Sequence, residues 1–165
     1  MSDSIVIIPT YNEKENIENI IRAVFGLEKV FHILVIDDGS PDGTAAIVKG
    51  LQKEFPERLF IVERKGKLGL GTAYIRGFKW AIEHKYDFIF EMDADFSHNP
   101  NDLPRLYEAI RRLYRAGCRR SHRIEVLQRG ECGELAVGPC VDVLFRLGVC
   151  PYRHGYEDTG YDGGL

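Results

Sequence analysis

Four short apolar runs, rich in β-branched or aromatic residues, recur along the chain: Ile5–Ile8, Ile33–Ile36, Leu59–Val62 and Phe88–Met92. Runs with so few polar interruptions suit strands of a parallel sheet covered on both faces. Helical periodicity fills the gaps. Ile17, Ile20, Ile21 and Val24 repeat on one face, and Asn12 with Glu15 supplies an N-cap and N3 pair ahead of them. A second helix is predicted from about Thr44 to Phe55, opened near Asp42 or Gly43 and ended by Pro56. A third is predicted from about Gly71 to His84, with Tyr74, Phe78, Ala81 and Ile82 on one face. A fourth begins near Asp102, where Asn101-Asp102-Leu103-Pro104 offers a cap and an early proline. Strand and helix in strict alternation imply a right-handed, doubly wound α/β sheet with helices on both faces. Ligands of such sheets sit beyond the carboxyl ends of the strands, so the segments just after each strand are where chemistry is expected.

Three of the four strands end in acidic segments. They are Pro9-Thr10-Tyr11-Asn12-Glu13, Asp37-Asp38-Gly39-Ser40-Pro41-Asp42-Gly43-Thr44 and Glu91-Met92-Asp93-Ala94-Asp95-Phe96-Ser97-His98. Crowded carboxylates are costly unless a cation or hydrogen-bond donors meet them. Asp93 and Asp95, alternating as the chain leaves a strand, suit a hard divalent cation such as Mg²⁺ or Mn²⁺, which prefers oxygen ligands and completes its shell with phosphate oxygens. Taken alone, an Asp-x-Asp is more often a solvated turn; the apolar strand before it and the second acidic strand end shift the balance. Asp37-Asp38-Gly39-Ser40 has the composition of a tight turn, and equally of a carboxylate that accepts from a base or ribose. Arg64-Lys65-Gly66-Lys67-Leu68-Gly69-Leu70-Gly71 joins cations to glycines, as a flexible basic loop or a diphosphate contact would, but it matches neither standard phosphate-loop pattern. His84 and His98 have no partner at ligand spacing.

Composition changes the picture at one place. With 25 acidic and 22 basic residues the net charge is −3, which disfavours a general nucleic-acid binder. No apolar run approaches the roughly 18–20 residues of a membrane-spanning helix, and no secretory signal is visible, so a cytoplasmic, reducing setting is the expectation. Yet all eight lysines lie before residue 111, whereas all four cysteines and nine of the 14 arginines lie after residue 110. Cys118, Cys132, Cys140 and Cys150 form no Cys-x-x-Cys pair, which disfavours a zinc knuckle.

PTYNE, DDGSPDGT, KLGLGTAYIRG and MDADFSH, in this order and spacing, resemble the dolichol- or polyprenol-phosphate mannosyltransferases, inverting enzymes of glycosyltransferase family two with a GT-A fold. The resemblance covers roughly residues 4–112. It implies that Pro9, Tyr11 and Glu13, with Ile36 and Asp38, hold the guanosine of GDP-mannose. It implies that Asp93 and Asp95 are catalytic and bind Mg²⁺ or Mn²⁺ at the diphosphate, with Ala94 beside the sugar nucleotide. The implied acceptor is a polyprenyl or dolichyl phosphate, met by peripheral contact at the cytoplasmic face of a membrane. The alternatives are a family-two transferase that uses a UDP-sugar, and a non-catalytic nucleotide-sugar-binding remnant.

Past residue 112 the family pattern stops, where a strand of the type VAIGSRY is expected. Ser121–Leu127 can be encoded so that the frame one base on reads AIGSRYF, and the same shift turns Glu134–Gly138 into NWPWG and Val141–Phe145 into WMSYF. The expectation is therefore a nucleotide-sugar-binding part over residues 1–112 and a frameshifted, poorly ordered tail over 113–165, with donor binding kept and transfer largely lost.

Overall fold

The computed structural model describes residues 2–115; the expectations for the remainder of the tail lie outside the described residues. The order is β1 (Ser4–Thr10), α1 (Ile17–Phe25), β2 (His32–Asp37), α2 (Thr44–Gln52), β3 (Leu59–Glu63), α3 (Leu70–Glu83), β4 (Phe88–Glu91) and α4 (Asp102–Arg115). All pairings are parallel and the sheet order is β3-β2-β1-β4. The register sets Thr10 opposite Asp37 and Asp37 opposite Glu63, so the carboxyl ends of three strands finish level.

Alternation along each strand sends side chains to two separate cores. Val6, Ile8, Ile33, Val35, Leu59 and Phe90 pack with Ile17, Ile20, Ile21 and Val24 of α1, Val48 and Leu51 of α2, and Leu103 and Tyr107 of α4. Ile5, Ile7, Leu34, Ile36 and Ile89 pack with Ala73, Phe78 and Ala81 of α3 on the opposite face. The sheet is thus covered on both sides, the doubly wound α/β arrangement. Its β-branched composition follows from that double burial. Gly77 explains how closely α3 approaches: a Cβ there would lie 2.7 Å from Ile7 Cγ2.

Three expectations need correction. The α1 helix starts at Ile17 with Asn16 in the N-cap place, so Asn12 and Glu15 are not its capping pair. Asn12 instead adopts φ 62°, a left-handed conformation that Asn tolerates better than most residues, and it turns the chain away from β1. Ile82 is exposed rather than part of the buried face of α3, which is carried by Ala73, Gly77, Phe78 and Ala81. The second helix also ends earlier than Phe55, at Gln52, although the Phe55 amide still donates to the Leu51 carbonyl.

Strands β1, β2 and β3 step in one direction across the sheet, and α3 then carries the chain back over them to place β4 on the far side of β1. Strand order reverses there, which opens a crevice outside the carboxyl ends of β1 and β4.

Candidate functional site

The rim above that crevice is built by the segments following β1, β2 and β4. The first two are locked together by side chains that accept from backbone. Ser40 Oγ accepts from the Asn12 amide at 3.0 Å, Thr44 Oγ1 from the Glu13 amide at 3.0 Å, and Asp42 Oδ2 from the Lys14 amide at 3.1 Å. Asp42 Oδ1 also accepts from the Thr44 hydroxyl at 2.6 Å and its amide at 3.0 Å, an Asx turn that begins α2. Gly43 allows this start because its φ is 95°.

The adjacent carboxylates Asp37 and Asp38 have separate jobs. Asp37 is buried, and it accepts from the Thr10 and Ser40 hydroxyls at 3.0 and 2.6 Å and from the Ser40 amide at 3.0 Å. It ties the ends of β1 and β2. Asp38 receives the Arg64 guanidinium in a two-pronged pair, Nε to Oδ1 at 2.5 Å and Nη2 to Oδ2 at 2.6 Å. Arg64 Nη1 further donates to Thr72 Oγ1 at 2.7 Å, in the first turn of α3. The basic loop is therefore anchored to β2 through its first cation. Gly39, at φ 71°, permits the approach, because a Cβ there would stand 3.3 Å from the Arg64 carbonyl oxygen.

The end of β4 is different. Asp93 Oδ1 accepts from the Tyr74 hydroxyl at 3.0 Å, and the Asp93 amide donates to His98 Nδ1 at 3.3 Å. Asp95 Oδ1 accepts from the Ser97 amide at 2.9 Å. Glu91 is buried on the same side as Tyr74, and burial together with the Asp93 charge pushes its carboxyl up to about 8. Burial and the same carboxylates raise the Tyr74 phenol well above its ordinary value, so it stays a hydrogen-bond donor. Phe96, between Asp95 and Ser97, holds φ 60°, a strained conformation for an aromatic residue.

Placed on this frame, Tyr11, Glu13, Asp38, Asp93 and Asp95 all lie on the segments leaving the carboxyl ends of the strands. Tyr11 is exposed, with Lys67 Nζ 4.8 Å from its ring centre. Glu13 Oε2 accepts from Asn16 Nδ2 at 3.4 Å. Pro9 and Ile36 are partners across the β1–β2 ladder, and the Ile36 side chain is fully buried in the α3-side core. Ala94 is likewise buried, in the α1–α4 core. Both can serve the rim as floor and backbone, not through an exposed side chain. Sequence reasoning missed three contributors. Arg64 looked like a diphosphate contact but is committed to Asp38; Tyr74 looked like core; His98, set aside as a ligand, braces the Asp93 backbone.

A divalent cation fits the chemistry of this donor set. Asp93 and Asp95 offer hard carboxylate oxygens. Among the described residues no cluster of three or more His, Cys, Asp or Glu is arranged for a metal.

The family model described as glycosyl transferase family 2 matches residues 5–133. Polyprenol monophosphomannose synthase of Mycolicibacterium smegmatis is 48% identical over 107 residues, which is 65% of this chain and 40% of that protein. Undecaprenyl-phosphate mannosyltransferase of Micrococcus luteus is 45% identical over 107 residues, 65% of this chain and 44% of that protein. The chain thus spans less than half the length of these curated relatives. Among solved structures, S. aureus TarS 1-349 superposes with a TM-score of 0.57 at 24% identity, covering 69% of this chain and 33% of that one, a likeness of fold. The described residues thus form a parallel sheet of GT-A-like α/β fold, and the chain belongs to glycosyltransferase family 2.

Proposed function

We propose that residues 1–112 form the donor-binding part of a polyprenyl-phosphate mannosyltransferase that uses GDP-mannose with inversion. The observation that carries this is that the interlocked 10–14 and 37–44 segments and the segment holding Asp93 and Asp95 leave the carboxyl ends of the neighbouring parallel strands β1, β2 and β4. The names of the two curated relatives support the choice of sugar and acceptor class.

In this reading Pro9, Tyr11, Glu13, Ile36 and Asp38 surround the guanosine, and Ala94 lines the donor. Asp93 and Asp95 would hold Mg²⁺ or Mn²⁺, which neutralises charge building on the leaving diphosphate. An acceptor phosphate oxygen attacks the anomeric carbon from the face opposite GDP. The anomeric carbon–oxygen bond to the diphosphate breaks, and its electron pair leaves on GDP. The acceptor is already an anion, so no strong general base is required, in keeping with a rim that lacks a nucleophile–histidine pair among the described residues. The chain's own groups orient the donor and hold charge in place. No helix among the described residues is long and apolar enough to cross a membrane, and the acceptor lipid is reached by peripheral contact at the cytoplasmic face in this reading. With residues 113–165 read as a frameshifted tail, this chain is expected to bind donor but to transfer little or no mannose.

Thermal unfolding with MnCl₂ and GDP, each at about a hundred times its Kd, tests the donor site, since ligand at that level adds roughly 2.7 kcal/mol of stability. Asp93→Ala and Asp95→Ala should each remove most of the metal-dependent gain, and UDP should protect less than GDP. An unchanged gain in both variants moves the site elsewhere. Radiolabelled mannose appearing in the lipid phase with this chain would overturn the expected loss of transfer.

A further inference from the structure

Asp93 is held unusually firmly for a carboxylate that keeps 40% of its side-chain exposure. Its amide is fixed by His98 Nδ1 at 3.3 Å, and its Oδ1 is fixed by the Tyr74 hydroxyl at 3.0 Å. Oδ2, 3.7 Å from His98 Nδ1, takes no hydrogen bond from either. The hydroxyl arrives from another element altogether, the first turns of α3. Its aim is set by packing. The Tyr74 ring lies nearly parallel to that of Phe78, centroids 6.4 Å apart, and rests on the core beneath α3. The preceding turn is itself anchored, because Thr72 Oγ1 accepts from Arg64 and donates toward the Leu68 or Gly69 carbonyl oxygens.

A half-exposed aspartate needs no such brace for stability. A rotamer-free carboxylate would be solvated well by water, and holding it still costs side-chain entropy. The brace makes sense where one oxygen must be presented in a fixed direction. Outer hydrogen bonds of this kind orient metal-binding groups, and their loss typically weakens metal affinity about 10–100-fold.

From this geometry we infer that Tyr74 is a positioning residue for the divalent cation: its hydroxyl occupies Asp93 Oδ1 and leaves Oδ2 without that bond, available to the metal. The inference rests on the proposal that Asp93 and Asp95 bind the metal. It adds a residue from α3, an element separate from the acidic segment itself. The same contact joins the basic loop to the metal end of the site. Arg64 and Thr72 fix the start of α3 at β2, and Tyr74 fixes it at β4.

The test is titration of the full chain with MnCl₂ alone, reading free Mn²⁺ by electron paramagnetic resonance. It compares wild type with Tyr74→Phe, Asp93→Asn and the double variant, and measures melting in EDTA alongside. Tyr74→Phe keeps the ring and its packing. It is expected to weaken Mn²⁺ binding about 10–100-fold while melting in EDTA stays near wild type, and to add nothing once Asp93 is Asn. If Asp93→Asn loses Mn²⁺ but Tyr74→Phe binds within about two-fold of wild type, the positioning role fails and the metal site stands. A lower melting point in EDTA with unchanged affinity also overturns the role, since it marks a purely structural bond. If wild type binds no Mn²⁺, or Asp93→Asn binds it as wild type does, the metal assignment falls and this inference falls with it.

Discussion

The amino and carboxyl ends of the sheet carry carboxylates in opposite conditions. At the amino end, Asp3 takes bonds from Lys29 Nζ at 2.8 Å, the Tyr107 hydroxyl at 2.7 Å and the Ser4 hydroxyl at 2.6 Å. Burial alone would raise its carboxyl, yet the bonds from Lys29, Ser4 and Tyr107 hold it down at about 2. At the carboxyl end, burial and the Asp93 charge lift Glu91 to about 8. One end has donors for its acid, and the other stacks acid on acid. A carboxylate that serves the fold is met by donors, whereas a group left short of positive charge is available to a ligand that brings it. The carboxyl end repeats the contrast within itself: Asp37 and Asp38, at the end of β2, are met by the Ser40 amide and the Arg64 guanidinium, whereas Glu91, at the end of β4, is raised by burial and the Asp93 charge.

The largest effect should come from breaking the met half of that rim. Asp38 and Arg64 keep only 8% and 10% of their side-chain exposure. Removing the guanidinium by Arg64→Met leaves a buried charge without its partner, which costs about 3–5 kcal/mol. Replacing both members, Arg64→Met with Asp38→Leu, should cost clearly less, because no orphan charge remains. Urea unfolding at neutral pH reads both. A cost below about 1 kcal/mol for Arg64→Met would mean that the pair behaves as an exposed surface bridge, and the contrast between β2 and β4 would weaken.

The next effect belongs to the unmet half. Glu91 is raised from 4.5 when unfolded to about 8 when folded. Between those values the folded state binds the extra proton, so stability falls as pH rises from about 5 to 8, and the full cost stands above 8. In EDTA, Glu91→Gln should stabilise the protein at pH 8 by roughly 2–4 kcal/mol and remove that slope. Adding Mn²⁺ to wild type should flatten the slope as well, since the cation offsets the Asp93 charge. A wild-type stability that does not fall over this range would erase the distinction between the two ends.

Much of this fold was legible in the chain, for physical reasons. Ile5–Ile8 and Ile33–Ile36 lie inside β1 and β2 because strands buried on both faces must be apolar without a break. The positions of the acidic segments followed from the strand ends. What the acids do there was not legible. Asp38 and Asp93 look alike in sequence, each acidic, each just past an apolar strand. Their difference depends on partners 26 and 19 residues away, Arg64 and Tyr74. Helical periodicity placed Tyr74 on a buried face correctly, but periodicity is blind to where a hydroxyl at the edge of that face points. The failed N-cap at Asn12 has a similar origin: a cap motif is local, and here the Asn12 amide is claimed by Ser40 of a different strand end. One available signal was overlooked. A tyrosine at the start of the helix that crosses to the last strand is placed to reach that strand's end, and its hydroxyl needs a partner there.

The smallest effect tests the met acid at the amino end. The Asp3 carboxyl is held at about 2 against 3.8 for the free group, so its bonds stabilise the fold at pH above 4 and are lost as pH falls toward 2. The side chain is still 35% exposed, which screens the ion pair with Lys29. Asp3→Asn keeps the shape and a carbonyl oxygen for Tyr107 but removes the charge, so it should cost about 1 kcal/mol at pH 7, roughly half the unscreened linkage value. The gap between variant and wild type should narrow between pH 5 and 3, opposite in direction to the Glu91 effect, which lies wholly above pH 4.5 and grows toward alkaline pH. Raised salt should shrink it too, because Lys29 contributes partly through an exposed charge. Melting curves of the two proteins across that range decide the matter. A gap that stays constant with pH would show that Asp3 acts through shape and neutral hydrogen bonds to Tyr107 and Ser4. The donors would then be incidental to its charge, and the amino end would no longer serve as the compensated reference for the acids above β4.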